Sequence, residues 1–140
     1  MRKLIVVFFV ICTPLSALPA IGKEWRVTVF MDHFFLQKLS NKKLMKKIKS
    51  VGGRPRFERV ILNKKSKVQL LVYFAGTAGT SFMVETYRAV IFDTNSKKFL
   101  GDFPFAYKGS KKIKQPRWIF DKGHISIDVD DINLHKRIKL

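Results

Sequence analysis

The chain has 140 residues, with 28 Lys and Arg against 10 Asp and Glu, a formal charge of +18. Cys12 is the single cysteine, which excludes an intramolecular disulfide and a multi-thiolate metal centre. Lysines outnumber arginines 20 to 8. Lysine is a mobile point charge, whereas arginine gives planar, bidentate recognition, so the excess points to diffuse attraction to anionic surfaces rather than to shape-specific phosphate reading.

The leading residues, MRKLIVVFFVICTPLSALPAIG, run in the order of a cleavable secretory signal. Arg2 and Lys3 precede an unbroken apolar run from Leu4 to Cys12, and Pro14 and Pro19 then break the chain among small residues. That run is far shorter than the roughly 20 residues of a membrane-spanning helix. Ala20 and Gly22 place the cut before Lys23, which divides the chain into a signal, 1–22, and one small exported domain, 23–140, periplasmic or extracellular. Cys12 leaves with the signal, and the bulky Ile11 before it argues against a lipoprotein site. Taking Arg2 and Lys3 from +18 leaves +16 on a mature chain without cysteine and without a transmembrane segment.

From Lys23 onward, EWRVTVFM (24–31) alternates Trp25, Val27 and Val29 against Arg26, Thr28 and Phe30, the period of a strand. Asp32 and His33 turn the chain, and Phe34 to Leu39 fits helix or strand. In SNKKLMKKIKSV (40–51), Leu44, Met45, Ile48 and Val51 recur at helical spacing, Ser40 or Asn41 suits an N-cap and Gly52-Gly53 a C-terminal stop. The expectation is a basic amphipathic helix, although its polar face of lysines has no acid to pair at i+4. Phe57 to Leu62 and Val68 to Phe74 read as strands, the second apolar on both faces and hence central. AGTAGTS (75–81) then precedes a long strand, Phe82 to Phe92. DTNSKK (93–98) is a turn cluster. Phe99, Phe103, Phe105 and Tyr107 alternate on the next strand, which Pro104 marks as an edge or a bulge. A basic loop follows, then Arg117 to Phe120 and His124 to Val129 around Asp121-Lys122-Gly123, and a last strand in INLHKRIKL. The fold class is mainly β (α+β): a curled antiparallel sheet, barrel or sandwich of seven to eight short strands with one basic helix packed on it.

The motifs exclude more than they assign. AGTAGTS lacks the GK[ST] and following helix of a phosphate loop, so Gly76 and Gly79 read as turn formers at a hairpin tip. His33, His124 and His135 have no metal-ligand spacing, and neither Asp93 with Asn95 nor Asp121, Asp128, Asp130 and Asp131 make a calcium loop. No cofactor is implied. Ser81 is not in a G-x-S-x-G elbow.

Three functional readings remain, the first a non-catalytic, exported basic protein bound to an anionic envelope polymer or to lipid headgroups. Its cations would be Lys42, Lys43, Lys46, Lys47, Lys49, Arg54, Arg56, Lys64, Lys65, Lys67, Lys111, Lys112 and Lys114. The second is an interaction module or inhibitor that contacts a partner protein through Gly76, Thr77, Gly79, Thr80 and Ser81. The third is a small hydrolase using Glu85 and Asp102 as a carboxylate pair. Export makes nucleic acid an unfavoured partner.

Overall fold

The structure, a computed structural model, describes residues 24–63, 67–108, 117–121, 123–129 and 133–139. The expected signal, 1–22, and Lys64, Lys65, Lys111, Lys112 and Lys114 lie outside the described residues. Among the described residues there are ten strands in three antiparallel sheets. β1 (Trp25–Phe30), β2 (His33–Lys38) and β3 (Asn41–Ile48) form a meander with β2 in the middle. β4 (Arg56–Asn63), β5 (Val68–Ala78), β6 (Val84–Asp93) and β7 (Lys98–Lys108) form a four-stranded sheet in chain order. β8 (Arg117–Asp121), β9 (His124–Val129) and β10 (Leu134–Lys139) form the third, with β9 central.

Strand alternation stacks these sheets in three layers. On β5, Val68, Leu70 and Val72 enter one core cluster, while Leu71, Tyr73 and Ala75 enter the other. β6 divides in the same way, Ala89 and Ile91 against Val90 and Phe92. Phe103, Phe105, Ile125 and Ile127 complete the first cluster, and Trp25, Leu36 and Ile48 of the meander complete the second. The four-stranded sheet is therefore the middle layer, and this is why β5 is apolar on both faces. Each large side chain buried in full contributes about 1.5–3 kcal/mol. Trp25 anchors the meander, with edge-on contacts to Phe92 at 5.1 Å and Phe99 at 5.9 Å between ring centroids. The Lys38 ammonium covers the Trp25 and Phe92 rings, 5.9 Å from each centroid.

The chain is mainly β, as expected, and among the described residues its sheets are open rather than closed into a barrel; the seven to eight strands expected are corrected to ten. The expected helix over 40–51 is corrected: Asn41–Ile48 is strand β3, paired with β2 as Phe34 opposite Ile48, Phe35 opposite Lys47 and Leu36 opposite Lys46. In a helix, Lys42 would stack on Lys46 and Lys43 on Lys47 at i,i+4, a repulsion with no compensating acid. An extended backbone sends neighbouring lysines to opposite faces. It also brings Leu44 and Ile48 to the Trp25 core. Lys46 shares their face and is half-buried, a position that a long lysine stem tolerates because it can cover apolar surface while its ammonium reaches water.

β7 is an edge of its sheet, as Pro104 demands, and the register opposite Tyr87 and Arg88 slips around Phe105. The turn at 93–96 forms as the sequence predicts. Asp93 accepts from the Asn95 N–H at 2.9 Å and the Ser96 hydroxyl at 2.6 Å. These bonds, the Ser96 one foremost, hold its carboxyl below the usual range.

Candidate anionic-surface interface

β3 is an edge strand, and its lysines are the densest run of cations in the described residues. Lys42, Lys43 and Lys47 are exposed, as are Lys49 and Arg54 in the segment that leads from β3 to β4. None of these forms an ion pair among the described residues, where Arg56, Arg88 and Lys108 hold the carboxylates of Glu58, Asp102 and Glu85. The meander carries Arg26, Lys38, Lys42, Lys43, Lys46 and Lys47, with Glu24 just before it and Asp32 at its first turn as counter-charges. The field of this layer is therefore positive and open to solvent.

The other predicted cations are distributed differently. Arg56 donates to Glu58 at 2.6 Å and lies over the Phe74 ring at 4.2 Å, so its guanidinium is held in place. Lys67 is exposed at the β4–β5 turn, where its carbonyl accepts from the Thr94 N–H and hydroxyl. At the other edge of the meander from β3, an open cleft of about 650 Å³ runs between β1 and the start of β4. Its walls combine Trp25, Val27 and Phe57 with Arg26, Arg54 and Arg56. Arg26 donates to the Gln37 side chain across the meander at 3.1 Å.

AGTAGTS is only partly a hairpin tip. Ala75, Gly76, Thr77 and Ala78 continue β5, and the loop proper is 79–83. Gly79 bends it, with φ of 118° and no room for a Cβ beneath the Phe82 carbonyl. Gly76 has another role. The β3–β4 segment crosses β5 here, with Val51 N–H donating to the Ala75 carbonyl at 2.8 Å and Thr77 N–H to the Gly52 carbonyl at 3.0 Å. Gly52 and Gly76 meet backbone to backbone, and Gly76 has φ of 127°. Of the five predicted loop-contact residues, Gly76 and Thr77 are thus committed to joining the meander to the middle sheet. Gly79, Thr80 and Ser81 are exposed.

Glu85 and Asp102 do not come together. Asp102 is opposite Val90 and faces the meander, where it accepts from Arg88 Nε at 2.9 Å and from the Tyr73 hydroxyl at 2.9 Å. The Lys49 N–H donates to the same hydroxyl at 3.2 Å. Burial, reinforced by the Asp102 charge, pushes the Tyr73 phenol well above its ordinary range. Glu85 shares the other face of β6 with Tyr87, whose ring packs against the first core cluster. It accepts from the Tyr87 hydroxyl at 2.8 Å and pairs with Lys108 at 3.7 Å. The Tyr87 bond, ahead of the Lys108 charge, lowers the Glu85 carboxyl, while burial and Glu85 push Tyr87 up to about 12. With the two carboxylates on opposite faces of one sheet, they form no acid–base pair around a common bond.

Ser81 sits in the β5–β6 loop, His33 begins β2, and His124 and His135 belong to the third sheet. His135 Nδ1 lies 3.0 Å from Asp128. Among the described residues no three His, Cys, Asp or Glu side chains gather as metal ligands. The sequence reading missed the most exposed apolar groups, Phe30, Met31, Phe82 and Met83. Their placement at turns was the available signal. No protein-family model, no curated protein and no solved structure matches this chain.

Proposed function

We propose that the chain is a non-catalytic, exported basic protein that associates electrostatically with an anionic component of the cell envelope. The observation that carries this reading is the lysine edge, unpaired among the described residues: Lys42, Lys43 and Lys47 on β3, continued by Lys49 and Arg54, with no carboxylate there bound to any of them. Lysines on an open edge also discourage strand-to-strand aggregation. Here four lysines stand within the eight residues of β3.

The direct test is co-sedimentation of the chain from Lys23 onward with isolated cell envelopes over a salt series. The screening length falls from about 10 Å at 0.1 M salt to about 3 Å at 1 M, so contacts of this kind weaken steeply. Binding that collapses as salt rises is the expected result. Binding that is unaffected by salt, or absent at low salt, overturns the reading.

A further inference from the structure

The four most exposed large apolar side chains among the described residues are Phe82 (83%), Met31 (78%), Met83 (67%) and Phe30 (59%). Phe30 ends β1 and Met31 follows it in the β1–β2 turn, while Phe82 and Met83 lie in the β5–β6 loop. Met31 and Asp32 form the two-residue β1–β2 turn, both with positive φ, 45° and 59°. That geometry favours Asn or Gly, so a methionine here goes against the local preference. Phe82 and Met83 end the Gly79 loop between β5 and β6. Neither pair contributes to either core cluster.

The two turns flank one feature. Val29, Asp32 and Phe34 share a shallow depression of about 410 Å³ with Gly53 and Arg54. Gly52, next in the chain, is bonded to Thr77, two residues short of the Gly79 loop. The Val51–Arg54 crossing therefore has one apolar tip on each side, and Val29 and Val51 are exposed between them. Lys47, Lys49 and Arg54 surround this end, with no ion pair among the described residues. Asp32 is the one acid on the two turns, and Glu85, at the start of β6, is already held by Tyr87 and Lys108.

Separate convex apolar tips with cations behind them suit a soft, anionic, partly apolar surface rather than a shaped cleft. We propose that Phe30, Met31, Phe82 and Met83 insert into the interfacial layer of an anionic phospholipid bilayer, with Lys47, Lys49 and Arg54 against the headgroup phosphates. Aromatic and thioether side chains gain by leaving water there, and each nearby cation adds attraction to the negative leaflet. The proposal rests on the electrostatic reading above and names its lipid.

The test uses the chain from Lys23, because every residue of both cores lies between Trp25 and Ile138. M83C, in a chain with no other cysteine, carries an environment-sensitive fluorophore. Vesicles of phosphatidylcholine with phosphatidylglycerol should shift its emission to the blue, and phosphatidylcholine alone should not. F30S/M31S and F82S/M83S should each weaken vesicle binding roughly tenfold, at an unchanged thermal midpoint, since all four side chains are exposed. Vesicle binding unchanged by either pair overturns the insertion while leaving the electrostatic reading intact. Binding to envelopes without binding to the anionic vesicles does the same and points to a wall polymer or a protein. Binding to neither overturns both.

Discussion

Replacing Gly76 with alanine tests how the meander is fastened to the middle sheet. The added Cβ would overlap the Gly52 carbonyl oxygen and crowd the Gly52 nitrogen, both backbone atoms that no side-chain rotation can move aside. At φ of 127° an L-residue is also strained, by about 1–3 kcal/mol. Relief requires the crossing segment to lift away, which breaks Val51 N–H to Ala75 and Thr77 N–H to Gly52. Each such bond contributes about 1 kcal/mol net, and more where a group is left buried and unpaired. The expected loss is about 3–5 kcal/mol, a fall in thermal midpoint on the order of 15 °C for a domain of this size. Gly53 supplies the internal control. Its φ of 81° is also left-handed, yet nothing lies within 4 Å of a Cβ there, so Gly53→Ala should cost only about 1 kcal/mol. Urea unfolding of the two variants, followed by tryptophan fluorescence, gives the comparison. Equal losses would refute the close approach as the reason for Gly76.

Other perturbations read separate parts of the structure. Asp102→Asn removes the charge that holds Arg88, in a pair whose side chains are each 13% exposed; it should destabilise by about 2–4 kcal/mol, and Arg88→Met with Asp102→Leu and Tyr73→Phe, which leaves no buried phenol without its acceptor, should recover much of that in the same unfolding assay. Tyr87 is raised from 10.0 to about 12, so the stability it confers is complete below pH 10 and disappears as pH rises through 12. Tyr87→Phe should flatten that alkaline decline, measured as the thermal midpoint against pH. Asp93 is shifted the other way: its contribution is present above the ordinary carboxylate range and is lost as pH falls through its lowered value. Asp93→Asn should therefore lower the midpoint at neutral pH and narrow its gap from the parent chain as the solution is acidified.

Much of the fold was legible because period two is hard to imitate. β1, β5, β7 and β9 announce themselves by alternation, and the both-faced apolarity of β5 marked it as a central strand, which it is, between β4 and β6. DTNSKK and Pro104 behaved as their side-chain and backbone chemistry requires. β3 misled because Leu44 and Ile48 are four apart, a spacing that serves one face of a helix and one face of a strand alike. The repulsion among Lys42, Lys43, Lys46 and Lys47 was the discriminating signal, and a long half-buried lysine at position 46 hid the alternation.

The site was less legible than the fold. The lysine run is visible in sequence, but its placement on a sheet edge depends on pairing with β2. Gly76 looked like a turn glycine, and its true neighbour, Gly52, is distant in the chain. Glu85 and Asp102 looked available as a pair until the pleat placed them on opposite faces. No local pattern reports that two apolar pairs far apart in sequence, at 30–31 and 82–83, flank the same crossing.

The central claim is that the β3 edge, rather than net charge alone, carries the association. The most direct measurement compares envelope affinity for two triple variants of equal charge change at low salt. Lys42, Lys43 and Lys47→Glu reverses the exposed edge; Lys97, Lys98 and Lys139→Glu reverses three exposed lysines elsewhere. The account predicts a loss of binding at least tenfold greater for the first. Equal losses would contradict it and reduce the lysine edge to its share of the total charge.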